Sequence, residues 1–323
     1  MAIVANQKVL TLDLWKLASE IKPGDYLFNS DGKLVQVKST HPYVADECYE
    51  VKFDDHVTIQ GDVHLAFMLE NSKYRKRLDE YKGVLKFRRP LKRYSVLEIP
   101  ESGENLSIPT TKPLQFPNQP LPIPPFLFGF WLINRRANKT MVPPTGYSEF
   151  IHEKFRDAGY KITTHRLREN GEREFKCHPS IESQLAPFVP RKIPSNYLYS
   201  APDQRIELLS GIIHAKPRQY NKKYDEFAFT TKNQTIHGQV RFLIESLGSK
   251  TFTIELKCNK SLKMNFKTRI KLIDVQTPKP LKVHYGRRYI PEIKQIKPQS
   301  CVHIEIDDAN NTFLVGEGFI SAC

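Results

Sequence analysis

The sequence predicts an all-β domain that is interrupted by an inserted α/β domain. Short strand-like runs separated by turns fill the first seventy residues, and helical periodicity dominates the middle of the chain. Strand-like runs return from about Val283 to the end. The 323 residues are enough for about two domains. An inserted domain is tolerated where the host chain makes an exposed turn, so we expect one β domain built from both ends.

The first segment, residues 1–115, contains the strand-like runs KVLTLD, YLFNSDGKLVQVKST, CYEVKFDD and VHLAFML. Asp31-Gly32 predicts a hairpin turn, and Pro23-Gly24-Asp25 ends a short helical or extended turn. A basic stretch follows, and then a proline-rich run from Pro109 to Pro125 that is unsuited to a helix. This run is predicted to connect the β segment to the inserted domain.

The second segment, residues 116–280, alternates between the two periodicities. Helical spacing is found in PFLFGFWLINRR, YSEFIHEKFRDAGY, APDQRIELLSGIIHAK and IHGQVRFLIESLGSK, and strand-like runs are YKITTHRL, REFKCH, EFAFTT and FTIEL. This order predicts an α/β domain with two similarly placed halves. The third segment, residues 281–323, returns to strands, with Asn310-Asn311 as the turn between the last two.

The amino-acid composition indicates which broad classes of protein the chain can belong to. Hydrophobic residues make up 40% and charged residues 26% of the chain, as in soluble globular proteins. No apolar run approaches the roughly 18 residues of a membrane span, and the N-terminus lacks signal-peptide features, so we expect a cytoplasmic protein of a phage or microbial host cell. The formal net charge of +14 favours a polyanionic partner, although a solvated basic surface is an equal alternative.

The five cysteines are odd in number and scattered without CxxC spacing. They are Cys48, Cys177, Cys258, Cys301 and Cys323. This pattern predicts neither a disulfide framework nor a zinc site.

The β segments at the two ends resemble the Hint domain, the horseshoe-like all-β splicing domain of inteins and hedgehog autoprocessing proteins. The likeness is carried by VLTLDLWKLASEIKPGDYLF (Val9 to Phe28), FDDHVTIQGDVHLAFML (Phe53 to Leu69) and CVHIEIDDANNTFLVGEGFISAC (Cys301 to Cys323). The second run is similar to the family's T-x-x-H segment, and the third is most like inteins of phage terminase type. The resemblance implies a self-excising segment whose flanking sequences, the exteins, are joined.

In this resemblance Ala2 is the first intein residue, Ala322 the last, and Cys323 the first residue of the C-extein. Splicing begins when a Cys or Ser at the first position attacks the preceding carbonyl and turns an amide into an ester. Cys323 then accepts the acyl group, and a terminal Asn cyclises to release the intein. Ala2 has no nucleophile and Ala322 has no side-chain amide. We interpret both alanines as deliberate substitutions that trap the precursor, although some inteins naturally begin with Ala.

Four further positions follow from the same resemblance. His64 is the T-x-x-H histidine, which donates a proton to the leaving amine of the upstream peptide. Gly61 replaces the Thr of that motif. His303 occupies the place of an Asp, Cys or His that acts on the junction, and Ser321 replaces the penultimate His, so downstream proton transfer would need another donor, His303 among them. For a single His in a strand, a structural hydrogen bond is the alternative.

The middle segment resembles a LAGLIDADG homing endonuclease. LPIPPFLFGFWLINRR (Leu121 to Arg136) and IPSNYLYSAPDQRIELLSGIIHAKP (Ile193 to Pro217) are similar to the two motifs of the intein-family form. Pro124 and Pro125 are expected to start the first motif helix, and Gly129 and Gly211 are expected to let the two motif helices cross closely. An apolar core helix is the alternative for either motif alone.

Cleavage in this family needs an acidic residue at the end of each motif helix, where paired carboxylates hold divalent ions. Here those positions are Asn134 and Lys216, with His214 at the other Asp of the second motif. The resemblance therefore implies a catalytically degenerate domain that still binds duplex DNA through phosphate contacts. The candidate contacts are basic: Arg135, Arg136, Lys139, Arg166, Arg168, Lys216, Arg218, Lys222 and Lys223.

These observations predict an all-β Hint splicing domain interrupted by an α/β LAGLIDADG endonuclease-like domain. Splicing needs no cofactor, and Mg2+ would be needed only if endonuclease activity persists. The expected partners are the two exteins in cis and duplex DNA, the expected state is a monomer, and no membrane partner is expected. The rivals are a sequence-selective DNA-binding protein, an active nuclease that uses Asp157 or Asp203, and a Hint protein that cleaves without ligating.

Overall fold

The computed structural model of the protein describes residues 1–71, 91–101, 105–135, 140–144, 146–167, 173–177, 183–184, 192–215, 220–221, 226–256, 261–267, 286–309 and 311–323. The chain divides into two compact units. The β unit comprises Met1–Gln115, Gly248–Lys250 and His284–Cys323, and the α/β unit comprises Phe116–Leu247 and Thr251–Val283. The fold class predicted from the sequence is therefore confirmed: the chain has an all-β unit built from both of its ends and an α/β unit inserted between them in the sequence.

The sequence placed the boundaries after residues 115 and 280, and the structure adds one short piece to the β unit. The carbonyl of Gly248 accepts a hydrogen bond of 2.8 Å from Thr110 Oγ1, and Lys250 Nζ forms an ion pair with Asp54. Periodicity could not reveal this piece, because its assignment depends on tertiary contacts.

The N-terminal part of the β unit consists of short strands, a 3-10 helix at Ala18–Glu20 and the four-residue helix α1 (Glu98–Glu101). The strands are β1 (Ala2–Val4), β2 (Lys8–Thr11), β3 (Leu14–Leu17), β4 (Tyr26–Phe28), β5 (Leu34–Ala45), β6 (Cys48–Lys52), β7 (Thr58–Asp62), β8 (Ala66–Asn71), β9 (Lys92–Ser95) and β10 (Leu106–Pro109). The hairpin predicted at Asp31-Gly32 joins β4 to β5, with Gly32 at a φ of 75°.

The α/β unit has two halves. The first half contains α2 (Pro125–Asn134), β11 (Thr140–Met141), α3 (Ser148–Asp157), β12 (Ile162–Leu167) and β13 (Arg173–Cys177). The second contains α4 (Ser195–Leu198), α5 (Pro202–His214), β14 (Tyr220–Asn221), β15 (Glu226–Thr231), α6 (Gln234–Ser246), β16 (Lys250–Leu256) and β17 (Ser261–Lys267). The strands form a three-stranded sheet in the order β11-β13-β12 and a four-stranded sheet in the order β14-β15-β17-β16.

The motif helices α2 and α5 cross at two glycines, as expected from the sequence. A Cβ on Gly129 would lie 2.4 Å from the carbonyl oxygen of Leu208, and a Cβ on Gly211 would lie 2.0 Å from that of Phe126. Both distances are shorter than any real contact, so only glycine allows this backbone approach. Pro125 is the first residue of α2, where its missing N–H costs nothing.

The C-terminal part of the chain completes the β unit with β18 (Arg287–Tyr289), β19 (Glu292–Ile296), β20 (Gln299–Ile306), β21 (Phe313–Val315) and β22 (Ile320–Ala322). These strands insert among the N-terminal ones rather than standing beside them. Strand β20 lies between β5 and β1, the β21-β22 hairpin lies between β2 and β8, β18 pairs with β10, and β19 pairs with β6. The sheet therefore needs both ends of the chain.

Buried ion pairs and a shared hydrophobic core hold the two ends together. Arg288 Nε lies 2.6 Å from Asp55 Oδ2 with both side chains almost fully buried, and Arg287 Nε lies 3.0 Å from Glu70 Oε2. Ile3, Phe67 and Ile304 belong to one apolar cluster that contains residues from both ends of the chain. Within the described ranges, none of the helices combines the length and the apolar character that a membrane span requires.

Candidate functional site

The predicted upstream junction lies on β1, between two other strands. Ala2 pairs with His303 on β20, and Ile3 pairs with Gly61 on β7. The carbonyl of Met1 accepts a hydrogen bond of 2.8 Å from the Ile304 N–H, and the Met1 amino group donates to the Ile304 carbonyl at 3.2 Å. Ala2 is 1% exposed. The Met1–Ala2 peptide is therefore fixed in a buried strand.

The predicted downstream junction lies on β22, which is also an interior strand. Ala322 pairs with Phe313 on β21 and with Phe67 on β8. Cys323 continues this pairing, because its N–H donates to the Ala66 carbonyl at 2.9 Å and its carbonyl accepts from the Ala66 N–H at 3.1 Å. Both Ala322 and Cys323 are buried.

A single turn connects the strands that hold the two junctions. It joins β7, which pairs with β1, to β8, which pairs with β22, and it carries His64. The Met1 amino group and the Cys323 thiol interact electrostatically, each shifting the pKa of the other. The fold thus brings together two chain segments that are more than 300 positions apart in sequence.

His303 faces the upstream junction from β20. It pairs with Ala2 on one side and with His41 of β5 on the other, where the two imidazole rings are 6.5 Å apart and edge-to-face. Partial desolvation lowers the pKa of His303, and the nearby positive charges of the Met1 amino group and His41 lower it further, against the opposing charges of Asp62 and Glu305. The neutral imidazole, which accepts a proton, is therefore the favoured form.

His64 is exposed on its turn, and its backbone N–H donates to Asp62 Oδ1 at 2.9 Å. The residue therefore belongs to the turn between β7 and β8, and the hydrogen bond from its ring to the upstream peptide stays a prediction.

Asp62 is a functional candidate that sequence reasoning missed. Its carboxylate is 3% exposed, accepts from the His64 N–H and accepts a short hydrogen bond from the Tyr43 hydroxyl. Desolvation and this bond to Asp62 raise the pKa of the Tyr43 phenol. The available signal was an acidic residue between Gly61 and His64, within the motif segment itself. Nothing in the sequence indicated that Tyr43 would bond Asp62, because the two residues are 19 positions apart.

Gly61 and Ser321 depart from the family pattern, and each has a structural consequence. A Cβ on Gly61 would lie 2.6 Å from the carbonyl oxygen of Ala2, so a side chain there would push β1 away. Ser321 is 5% exposed, and its hydroxyl has no hydrogen-bond partner among the residues that the structure describes. A hydroxyl cannot replace the imidazole of the family as a proton donor near neutral pH.

Opposing effects act on the pKa of the Cys323 thiol. Burial raises its pKa, whereas the Arg93 guanidinium, through its charge and a hydrogen bond, and the Met1 amino group lower it. The net shift is upward, so the thiol form predominates at neutral pH. Arg93 lies on β9, which pairs with β8, and this pairing is how it reaches the junction.

Two of the three degenerate nuclease positions, Asn134 and His214, lie among the described residues. Asn134 ends α2, and its side-chain amide bonds both the carbonyl and the N–H of Val142, at 2.9 and 2.7 Å. His214 ends α5 with 2% exposure, has Nδ1 at 2.8 Å from the Ser210 carbonyl and stacks on Phe150. Both side chains are therefore part of the packing. Lys216 lies outside the described residues.

The alternative acids do not occupy the C-terminal ends of the motif helices. Asp157 ends α3 and lies 3.7 Å from Arg156, and Asp203 lies in the first turn of α5, at the opposite end from His214. Among the described residues, no group of three or more His, Cys, Asp or Glu side chains could hold a metal ion.

Two of the candidate DNA contacts, Arg135 and Arg166, lie among the described residues. Arg135 is exposed at the end of α2, with its guanidinium 5.3 Å from the centre of the Trp131 ring. Arg166 belongs to β12. The remaining candidates fall outside the described residues: Arg136, Lys139, Arg168, Arg218, Lys222 and Lys223.

Comparisons of the sequence and the structure give distant similarities to known proteins. No protein-family model matches the sequence. The replicative DNA helicase DnaB of Mycobacterium intracellulare is 23% identical over 337 aligned positions, which include 95% of this chain and 55% of the relative. The chain thus spans about half the length of the curated relative that it matches.

Two solved structures each cover one part of the chain. The MchDnaB-1 intein is 25% identical with a TM-score of 0.20, covering 22% of this chain and 54% of its own. I-DmoI, in complex with DNA and Mn, is 11% identical with a TM-score of 0.34, covering 45% of this chain and 89% of its own. The resemblance stated from the sequence, that of an intein-like chain with an inserted homing-endonuclease-like domain, is confirmed as a similarity. The finer likeness to phage terminase inteins stays a prediction.

Proposed function

We propose that the β unit is an intein splicing domain that joins the exteins on either side of it in cis, as a monomer and without a cofactor. The observation that carries this proposal is the turn with His64, which connects the strand paired with β1 to the strand paired with β22. Splicing requires the upstream carbonyl and the downstream nucleophile to react with each other. The pairing of β7 with β1 and of β8 with β22, on either side of one short turn, supports this requirement.

The upstream step would use groups that already surround the Met1–Ala2 peptide. A nucleophile at position 2 attacks the carbonyl carbon of Met1, and negative charge develops on the carbonyl oxygen. The Ile304 N–H, 2.8 Å from that oxygen, would stabilise this charge as an oxyanion-hole donor. His64 is the predicted proton donor to the leaving amine, and His303 is the second imidazole close to the same peptide.

The downstream steps would follow at β22. Cys323 takes the acyl group from position 2, and an Asn at position 322 then attacks its own backbone carbonyl and expels the amine of Cys323. The hydrogen bonds of Cys323 to Ala66 hold the scissile peptide in place for this attack. In the present chain both reactive side chains are alanine, so we infer that the precursor is arrested before the first step.

Restoring the two reactive side chains tests the proposal. A chain with Ala2→Cys and Ala322→Asn, placed between two foreign exteins, is expected to give ligated exteins and free intein on gels and by mass spectrometry. Ala2→Cys alone should allow upstream cleavage by added thiol, and Ala322→Asn alone should allow downstream cleavage. The unsubstituted chain between the same exteins is the control and should stay intact. Neither ligation nor cleavage in a folded, restored chain would refute the function.

We further propose that the α/β unit binds duplex DNA without cleaving it. The support is the formal charge of +14 together with the loss of acids at the helix ends, where Asn134 is held by Val142 and His214 is buried among aromatic rings. Neutral and buried groups there cannot hold Mg2+ against a phosphate. Binding through phosphates would instead depend on exposed cations such as Arg135.

Labelled duplexes of random sequence test this second proposal. We expect retention that weakens steeply with salt, no nicking with Mg2+, and weaker binding by Arg135→Ala than by Lys38→Ala, a control at an exposed position of the β unit. Metal-dependent nicking that is lost in Asp157→Asn or Asp203→Asn would favour the active-nuclease alternative. DNA binding without splicing in the restored chain would favour the DNA-binding alternative.

A further inference from the structure

Two buried cysteines of the β unit face each other and have no part in the proposed splicing steps. The sulfur atoms of Cys48 and Cys301 lie 3.9 Å apart, and the two residues are 253 positions apart in sequence. Their exposures are 0% and 1%, and both thiols are free. The scattered spacing of the cysteines predicted no disulfide, because this proximity depends entirely on how the strands pair.

The surroundings of the pair do not provide a metal site. The two residues form a small buried cluster with Val4 and Ala45, and Ile296 packs against it. Two sulfur ligands alone do not make a zinc site, which needs at least three protein ligands. No cluster of that size was found among the residues that the structure describes.

The two cysteines lie close to the upstream junction along the paired strands. Cys301 pairs with Val4, which is two residues along β1 from Ala2, and it lies two residues before His303 on β20. Cys48 pairs with Asp62 at the end of β7, immediately before the turn that carries His64. A covalent bond between the sulfurs would therefore connect the strand of His303 to the neighbour of the strand of Asp62.

We propose that Cys48 and Cys301 are a thiol–disulfide site that a low-molecular-weight disulfide oxidises and that thiols reduce. The Cys48 thiolate attacks one sulfur of the oxidant, forms a mixed disulfide and expels one small thiolate. The Cys301 thiolate then attacks Cys48 Sγ and expels the second. The two protein thiols lose two electrons and two protons, and the oxidant is reduced to two small thiols.

The order of attack follows from the two environments. Cys48 comes directly after the exposed residues Asp46 and Glu47, so a local opening of that turn would admit the oxidant. Burial and the adjoining Cys48 thiol raise the pKa of Cys301 to about 12, which makes it a poor first nucleophile in solution. Once the mixed disulfide has formed, Cys301 is held next to its target and can complete the reaction.

The required movement is small. A disulfide has a sulfur–sulfur distance of about 2.05 Å, so the present separation must shorten by roughly 2 Å. Rotation of the two side chains about their Cα–Cβ bonds changes the distance between the sulfur atoms. The part of the shortening that rotation does not supply would move β6 and β20 slightly towards each other, and with them the residues around Ala2.

Peptide mapping of the intact chain tests the site directly. The folded protein is incubated with oxidised glutathione, alkylated and digested under non-reducing conditions. We expect one linked peptide pair that contains Cys48 and Cys301, reversed by dithiothreitol, and a rise in melting temperature of roughly 5–15 °C. A chain with Cys177→Ser, Cys258→Ser and Cys323→Ser should behave in the same way. In that triple-serine background, Cys301→Ala should give a single glutathione adduct on Cys48, whereas Cys48→Ala should react far more slowly, because Cys301 is a poor first nucleophile.

Three results would contradict the proposal: glutathione adducts without a link, a link that forms only above the melting temperature, or no oxidation at all. Each would mean that the two thiols are merely packed together. Because the mapping uses the unsubstituted protein, a failure of either alanine variant to fold does not affect it.

The consequence for activity rests on the proposed function. In a chain restored with Ala2→Ser and Ala322→Asn, which adds no new thiol, oxidation is expected to change the splicing rate severalfold and reduction to restore it. If the linked peptides form but the reduced chain never splices, the splicing function fails while the redox site stands. If the chain splices at one rate in both redox states, the link has no regulatory effect.

Discussion

Gly61 approaches Ala2 so closely that a Cβ at position 61 would lie 2.6 Å from the Ala2 carbonyl oxygen. The same Cβ would also lie 3.0 Å from the side chain of Leu65. The close contact holds β7 against β1 and sets the distance between the turn of His64 and the upstream junction. Glycine at this position is therefore part of the packing around the junction.

Side chains at position 61 should destabilise the protein in order of size. We expect Gly61→Ala to lower the free energy of unfolding of the β unit by about 1–3 kcal/mol and Gly61→Thr by more, since backbone atoms cannot yield as a flexible side chain does. Urea unfolding of the β unit measures the effect. Equal stability of all three proteins would show that β1 moves without cost.

Replacement of either glycine at the crossing of α2 and α5 by alanine should destabilise the protein, whereas the same replacement at a third helical glycine should stabilise it. Gly129→Ala and Gly211→Ala are expected to lose roughly 2–4 kcal/mol, because the methyl group meets backbone of the facing helix. Gly238 lies within α6 with open space around it, so Gly238→Ala should gain about 1 kcal/mol from helix propensity. Thermal unfolding of the three variants compares them, and a neutral Gly211→Ala would contradict the crossing.

Removal of one partner of the buried Arg288–Asp55 pair should destabilise the protein strongly, whereas replacement of both partners by apolar residues should destabilise it little. Arg288→Met leaves a buried carboxylate without its partner and is expected to cost about 3–5 kcal/mol, whereas Arg288→Met with Asp55→Leu should recover most of the loss. Lys8→Met, at the exposed pair with Glu317, is the control and should cost under about 1 kcal/mol. Denaturation of the unsubstituted protein, Arg288→Met, Asp55→Leu and the double variant gives the coupling energy, and a coupling near zero would refute this assignment.

His303 should titrate below its ordinary pKa of 6.5. Because the folded protein holds the imidazole neutral, the unfolded chain binds the proton more readily. The contribution of His303 to stability is therefore complete above about pH 6.5 and is lost as the pH falls below that value. Nuclear magnetic resonance titration of the ring protons measures the midpoint. A midpoint at or above that of a short unfolded peptide would contradict the arrangement around Ala2.

Asp62 should act as a positioning residue for the upstream step. In a chain restored at positions 2 and 322, Asp62→Asn keeps the shape but removes the charge that the Tyr43 hydroxyl and the His64 N–H bond. We expect thiol-induced upstream cleavage to slow roughly 10–100-fold and the phenol pKa of Tyr43 to fall. Tyr43→Phe, which keeps the charge, should have a smaller effect. An unchanged rate in Asp62→Asn would remove Asp62 from the site.

The sequence by itself determined the elements and their order. Alternating residues gave the short strands, the apolar period of 3.6 gave α2 and α5, and Gly129 and Gly211 predicted the helix crossing, because each of these signals is local. Local backbone preference and side-chain size are sufficient for statements of this kind. The assignment of Ala2, His64, His303 and Cys323 to one site came instead from the resemblance of the motif segments to the Hint domain, and it stays a prediction.

Only the tertiary structure decided which strands are neighbours and what lies around the junctions. Strands of three to twelve residues carry no record of their partners, so the insertion of β20 between β5 and β1 could not be predicted. Asp62 and Tyr43, the Ile304 N–H on the Met1 carbonyl, and the sulfurs of Cys48 and Cys301 meet only through that pairing. Their physical basis is contact between residues distant in sequence, which a linear pattern does not contain.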